Sequence, residues 1–495
     1  MSKAPEVDAA GLPEVLSPLD QILHRGEANP RTRSGILTVE LLDSVPDWDR
    51  FTARFDNASR KVLRLRQKVV TPTLPTAAPR WVVDPDFNLD FHLRRVRVPE
   101  PGTLRQVMDL AEVAAQSPLD ISRPLWTATL IEGVHGGRAA LMVHLSHAVT
   151  DGVGGVEMFA NLYDLERDPP PQQVAPLPIP ADLSPNDLMR QGLNRLPGTV
   201  AGGVRDALFG AVQAVGHVVR DPISRLGSVV DYAMSGARVI GPVAAPSPLL
   251  RRRSLSSRSE AIDIEFGDLH RAAKAAGGSI NDAYLAGLCG ALRLYHQAKG
   301  LPVDTLPMAV PVNLRSEDDP AGGNRFAGVN LAAPIGLADA AVRIRNIRAQ
   351  MTRKRDERAL DMVGAIAPVV TLLPDTVLET MAGSIVNSDV QASNVPVYAG
   401  DTFVAGAKVL RQYGLGPLPG VAMMAVLISR SGYCTITTRY DRAAVTDPAL
   451  LARCLLAGFD EVLALGGPGR AVAATFTDES RPESPAATTN GSAAQ

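Results

Sequence analysis

Seven prolines crowd into the eighteen residues from Asp168 to Pro185, at Pro169, Pro170, Pro171, Pro176, Pro178, Pro180 and Pro185. Proline fixes its own φ, offers no amide donor and is excluded from helix interiors and central strands, so this stretch reads as an extended connector. It divides the 495-residue chain, too long for one ordinary core, into units of domain size. Residues 16–167 form the first. The second runs over 259–476, after a further segment at 168–258. In the first unit, 35–42, 81–83, 93–98, 126–132 and 139–146 have the apolar patterning of strands, and 48–62 and 103–115 that of helices. In the second, a strand at 260–265 leads into a helix over 266–276. The predicted fold class is α/β (α+β): two subdomains, each a mixed sheet with helices. Residues 1–15 are expected to be a flexible N-terminus, and the Ser/Pro/Ala/Thr-rich tail 477–495 is expected to be disordered.

Composition removes several function classes. A net charge of −2 does not suggest a nucleic-acid binder. Cys289, Cys434 and Cys454 are far apart in apolar surroundings, with no CxxC or Cys/His cluster, so neither a metal site nor a disulfide framework is predicted. The first twenty residues carry acidic groups and prolines where a signal peptide needs a basic and then an apolar run, and no apolar run reaches the roughly 20 residues of a membrane span. The expected location is cytoplasmic. Within 186–258, Val204, Leu208, Val212, Val215 and Val219 recur at helical spacing, and ten Arg stand against four Asp. Such a segment either lies on an anionic membrane or lipid-droplet surface or packs on the two domains with its Arg in solvent. Arg251-Arg252-Arg253 can alternatively meet the phosphates of a nucleotide-bearing donor.

The chemistry concentrates in Ser146-His147-Ala148-Val149-Thr150-Asp151-Gly152, between an apolar run at 139–143 and a helix-like stretch to about 165. A His four residues before an Asp-Gly arises by chance in roughly 3% of chains with this many histidines, so the spacing is a lead rather than a proof. Alternation along a strand over 141–146 sends His144 and Ser146 to one face and Leu145 and His147 to the other. Ser146 and His147 therefore do not pair as nucleophile and base, which argues against a serine hydrolase. Asp151 stands where a helix N-cap belongs, and Gly152 permits the tight turn. A His packed at a domain edge beside a capping Asp explains the same residues without any chemistry.

Several patches in order resemble the bacterial wax ester synthase/diacylglycerol acyltransferase family, relatives of the acyltransferases and peptide-synthetase condensation domains with an HHxxxDG motif. Leu16-Ser17-Pro18-Leu19-Asp20, Arg123-Pro124-Leu125-Trp126, Asn281-Asp282-Ala283-Tyr284-Leu285-Ala286, Pro311-Val312-Asn313-Leu314-Arg315 with Gly323-Asn324-Arg325-Phe326, and Ser393-Asn394-Val395-Pro396 carry it, from the first patch to about residue 470. Each is short, and each has its own physical reading. Trp126 at a strand start is a core or domain-edge anchor, or by resemblance a wall of the acyl channel. Asn281 reads as a helix N-cap with Asp282 in the first turn, or as a site-shaping pair. Ser393 and Asn394 either make a turn before Pro396 or offer donors to an oxyanion.

The resemblance implies two chloramphenicol-acetyltransferase-like subdomains with an active-site tunnel between them. It implies transfer of a fatty acyl group from acyl-CoA, a co-substrate, to the hydroxyl of diacylglycerol or a long-chain alcohol, with no cofactor and no metal. His147, neutral near its ordinary pKa of about 6.5, takes the hydroxyl proton as the oxygen attacks the thioester, then protonates the CoA thiolate. Asp151 holds the turn and Gly152 allows it. Pro124, Leu125, Trp126, Asn281, Asp282, Ser393 and Asn394 are the substrate-binding candidates. The chain departs from the family where Ser146 replaces the first histidine, where Val397 replaces the glycine of SNVPG, and at Thr32-Arg33-Ser34-Gly35. A lipid-binding paralogue, or an acyltransferase for another alcohol, is the rival reading.

Overall fold

The computed structural model describes residues 14–150, 155, 160–195, 243–313, 326–355, 371 and 388–476, apart from Pro75 and Ala399. The first unit supplies β1 (Ile36–Leu42), β2 (Gln67–Val70), β3 (Arg80–Val83), β4 (Leu93–Arg97), β5 (Trp126–Val134) and β6 (Arg138–Leu145). The second supplies β7 (Ser257–Glu265), β8 (Leu306–Asn313), β9 (Phe326–Ala333), β10 (Val390–Pro396), β11 (Phe403–Val404), β12 (Ala407–Leu415), β13 (Met423–Arg430), β14 (Tyr433–Asp441) and β15 (Val472–Ala473). One sheet has the order β11-β12-β1-β6-β5-β4 and the other β15-β7-β14-β13-β10-β8-β9, while β2 and β3 form a separate hairpin. Both sheets mix parallel and antiparallel pairs: β4 runs parallel to β5, and β10 to both β8 and β13.

One strand of the 259–476 unit serves the other sheet: β12 pairs antiparallel with β1, with Leu37 opposite Leu415 and Val39 opposite Tyr413. Without β12 the edge of β1 would present unpaired amides and carbonyls. The chain then returns to the second sheet as β13, so the β12–β13 connection ties the two sheets together. Charged pairs reinforce the tie. Arg439 Nε lies 3.2 Å from Glu112 Oε2, Arg105 Nη1 donates to the Ser259 carbonyl at 2.5 Å, and Arg411 Nε reaches Asp263 at 3.1 Å.

The helices follow their sequence signals closely. Trp48–Lys61 is capped by the Asp47 side chain, and Leu104–Gln116 by a capping box in which Thr103 and Gln106 satisfy each other's amides. The first helix packs Phe51, Phe55 and Ala58 on one face of the first sheet, and the second packs Val107, Met108 and Ala111 on the other. Helices Ile280–Ala298 and Pro448–Leu463 cover the second sheet around Tyr284 and Phe459. After β6 and the 160–162 turn, residues 165–184 run without helix or strand, as the prolines require, until the helix Pro185–Arg195 begins. The stripe at 204–219, the 477–495 tail and most of the helix expected from Gly152 to about 165 lie outside the described residues; the described end of that helix is only the short turn Ala160–Leu162.

Candidate active site

β6 ends at Leu145, and its alternation decides what the site contains. Leu141, Val143 and Leu145 face a cavity between the sheets, and His147, beyond the strand end, joins them there. Ala140 and Met142 face the helix Leu104–Gln116 instead. His144 turns away with them, buried, and its Nε2 would sit 2.7 Å from a Cβ on Gly35. Burial, with Arg439, Arg33 and Arg94 nearby, lowers its pKa to about 4, so it is neutral near pH 7.

Ser146 is wholly buried and shapes the loop that carries His147. Its amide donates to the Leu125 carbonyl at 3.0 Å, its carbonyl accepts from Val149 N at 3.1 Å, and its hydroxyl accepts from Ala148 N at 3.2 Å. The same hydroxyl donates to Glu27 Oε1 at 2.8 Å. Burial raises the Glu27 pKa, while this hydrogen bond, Arg33 and the Ser34 amide pull it back. The residue in place of the family's first histidine is thus a structural anchor facing away from the cavity, and no nucleophile for His147. Asp151 and Gly152 lie outside the described residues.

The cavity holds about 240 Å³, against roughly 150 Å³ for a dry engineered cavity that admits benzene. β1, β6 and β12 form one wall and β10 and β13 the other. Gly414 and Gly416 let the walls approach closely: a Cβ on Gly414 would lie 2.9 Å from Val426 Cγ1, and one on Gly416 2.7 Å from the Met424 side chain. Apolar side chains such as Leu141, Val143, Met424, Val426 and Ile428 dominate the lining. A charged cluster closes the far end. Arg430 Nη1 donates to Gln412 at 2.7 Å, Nη2 donates to Thr402, and the guanidinium lies 5.0 Å from the Tyr163 ring centre. Tyr163 donates its hydroxyl proton to Glu40, whose pKa is raised by burial against the pull of Arg430. Sequence reasoning missed this cluster. Its signal was a lone glutamate in the otherwise buried strand Ile36-Leu37-Thr38-Val39-Glu40-Leu41-Leu42.

The other candidates separate. Ser393 and Asn394 line the cavity opposite His147's sheet, but in strand β10, each opposite a β13 residue, so the turn expected before Pro396 is absent. Pro124, Leu125 and Trp126 do not line it. The Trp126 indole donates to the Leu65 carbonyl at 2.7 Å and stacks between Phe55 at 6.0 Å and His92 at 4.6 Å, as a core anchor does. Asn281 is not the helix cap either. Ser279 is, with its hydroxyl accepting from Asp282 N at 3.2 Å and Asp282 accepting from Ser279 N at 2.8 Å. Asn281 and Asp282 lie in the first turn of that helix, apart from the cavity lining. Arg315 and Gly323–Arg325 lie outside the described residues. The three cysteines are buried and unbridged.

Two mixed sheets facing across an apolar cavity, with an imidazole beyond a strand end, form a two-lobed fold shared with condensation domains. The wax ester synthase/diacylglycerol acyltransferase from Marinobacter aquaeolei VT8 superposes with a TM-score of 0.60 at 20% identity, covering 91% of this chain and 100% of that one. The first condensation domain of the calcium-dependent antibiotic synthetase superposes at 0.54 and 12% identity, covering 92% and 97%. Residues 14–284 match the wax ester synthase/diacylglycerol acyltransferase catalytic domain and 322–462 the WS/DGAT C-terminal domain, so the chain belongs to this acyltransferase family. It is 69% identical over 467 residues, 94% of this chain and 95% of the other, to a Mycobacterium tuberculosis (strain H37Rv) protein with the provisional name of a diacylglycerol O-acyltransferase.

Proposed function

We propose that this chain transfers a fatty acyl group from acyl-CoA to the hydroxyl of a diacylglycerol or long-chain alcohol, with His147 as the general base. The observation that carries the reading is the meeting of a half-buried imidazole and an apolar cavity walled by both sheets. An alkyl chain in the cavity brings its polar end to His147. The imidazole takes the acceptor's hydroxyl proton as that oxygen attacks the thioester carbonyl; when the C–S bond breaks, the same proton passes to the CoA thiolate. Ser393 and Asn394, on the opposite wall, carry a hydroxyl and an amide suited to the oxyanion. Asp151 and Gly152 belong to this reading as the turn that orients His147. The step asks for no cofactor beyond the co-substrate.

Turnover of an acyl-CoA over a panel of diacylglycerols and long-chain alcohols tests the reading. His147→Ala should lower kcat by about 10²- to 10⁴-fold, the usual contribution of a positioned base, while lipid binding persists. Wild-type protein that binds lipid but turns over no acceptor would make it a lipid-binding paralogue instead. Peripheral contact with an anionic membrane or lipid droplet through the Arg-rich segment 186–258 belongs to the same reading. It predicts flotation with anionic vesicles that weakens as salt screens the charges.

A further inference from the structure

A second cavity, of about 330 Å³, opens beside the His147 end of the first. The two share a wall: Ile36, Gly416 and Pro417 line the apolar cavity, and their chain neighbours Gly35 and Leu418 line the other. Ile36 is also the residue paired with Leu145, two before His147. The second cavity has the opposite chemistry. Arg31, Arg33, Arg251, Arg253 and Arg439 line it, against the single carboxylate of Asp441. The whole chain carries a net charge of −2, so this concentration of guanidinium is local.

Three of these arginines have structural duties. Arg33 donates to the Glu27 and Gln116 carbonyls at 3.2 and 2.8 Å, Arg439 pairs with Glu112 and donates to the Gly416 carbonyl at 3.1 Å, and Arg253 donates to the Leu250 carbonyl. Asp441 accepts from the Ser254 amide and hydroxyl at 2.5 and 2.7 Å rather than from an arginine of the cavity. Arg31 and Arg251 are exposed, and Arg251 also feels the charge of nearby Asp389. The cavity therefore has a fixed cationic wall and two arginines whose donors face solvent.

We propose that this basic cavity binds phosphate groups, and that in catalysis they are those of the nucleotide end of the acyl-CoA donor. The inference rests on the acyl-transfer reading above. Planar guanidinium forks match phosphate oxygens in pairs, and the lining remains rich in arginine after Glu112 has paired with Arg439 and Asp389 has acted on Arg251 and Arg253, which draws a polyanion to it. The order of compartments matches the order of groups in the donor. An apolar chain lies in the first cavity, the thioester meets His147 at the shared wall, and the phosphates meet arginine beyond it. Arg31 and Arg251 are the two that contact them.

Calorimetric titration with CoA and with adenosine 3′,5′-bisphosphate measures the site without any need for turnover. Arg31→Ala and Arg251→Ala should each weaken both ligands by roughly tenfold, the scale of one charge-assisted hydrogen bond, and the loss should shrink as salt rises. Arg251→Lys should recover part of the affinity. The ratio of kcat/KM for acyl-CoA to that for acyl-pantetheine, which lacks the nucleotide, should fall by the same factor. CoA affinity unchanged in the double variant would overturn the proposal. If CoA affinity holds but flotation on phosphatidylserine vesicles falls, the phosphate belongs to a lipid headgroup and the nucleotide assignment fails. Arginine-dependent CoA binding by a protein that turns over no acceptor would uphold the site and sink the acyl-transfer reading alone.

Discussion

One face of the six-stranded sheet is packed solid over β5 and hollow over β1 and β12. Over β5, Trp126, Ala128 and Leu130 meet Phe51 and Phe55 from the helix Trp48–Lys61, and no space remains. Two strands away, Thr38, Gly414 and Gly416 line the cavity, and the missing Cβ at each glycine leaves room for the side chains of Val426 and Met424 from the opposite sheet. β6 belongs to both halves, since Leu141, Val143 and Leu145 pack into the core cluster and also line the cavity. His147 thus emerges where packed core gives way to open space. Side-chain volume on neighbouring strands, more than strand geometry, separates stability from function here.

The comparison breaks first at His147 and Trp126. His147→Ala should remove nearly all turnover while the thermal midpoint stays near wild type, because a half-buried side chain at the cavity edge contributes little packing. Trp126→Ala should do the reverse, costing about 3–5 kcal/mol of stability through cavity formation and the lost hydrogen bond to Leu65. Denaturant unfolding of the two variants, set beside their initial rates with any refolded protein, separates the roles. A destabilised His147→Ala would mean that the imidazole is core rather than site.

The boundary sharpens at Gly414. Its Cβ would lie 2.9 Å from Val426 Cγ1 and 3.2 Å from Ile428 Cδ1, so the opposite wall must move for any side chain. Gly414→Val should cost about 1–3 kcal/mol by overpacking and narrow the cavity. The kcat/KM ratio of long to short acyl donors should fall. Equal loss for both lengths would place the alkyl chain somewhere other than between β12 and β13.

These contrasts also explain which parts of the molecule were legible beforehand. Parity along 141–147 placed His147 opposite His144 correctly, because alternation is a local property that survives any tertiary arrangement. The Thr103 cap, the sheet segments and the proline connector are local in the same sense. The passage of β12 into the first sheet was not legible, since strand order depends on which edge needs covering and leaves no mark in the strand itself. Ser393 and Asn394 looked like turn chemistry, yet the parallel partner β13 holds β10 extended through them to Pro396. The cap moved from Asn281 to Ser279 because Asp282 sits three residues after Ser279 and completes a capping box there. Glu40 was overlooked because its partners, Tyr163 and Arg430, lie 123 residues later and in the other sheet.

The smallest predicted effect concerns the face of β6 turned away from the cavity, where His144 is the counterpart of His147. Burial, then Arg439, Arg33 and Arg94, lowers its pKa from 6.5 to about 4. In the unfolded chain it titrates at the ordinary value, so between about pH 6.5 and pH 4 the unfolded state binds the extra proton. His144 therefore contributes its full stability above pH 6.5 and loses it as the pH falls through that window, at no more than about 1.4 kcal/mol per pH unit. His144→Gln keeps a neutral polar side chain and removes the titration. The difference in unfolding free energy between wild type and variant should be flat above pH 6.5 and shrink, then move in favour of the variant, as the pH is lowered towards 4. A difference independent of pH would mean that His144 reaches solvent when the loop at Ser146 opens, and that the two faces of β6 are less distinct than their packing implies.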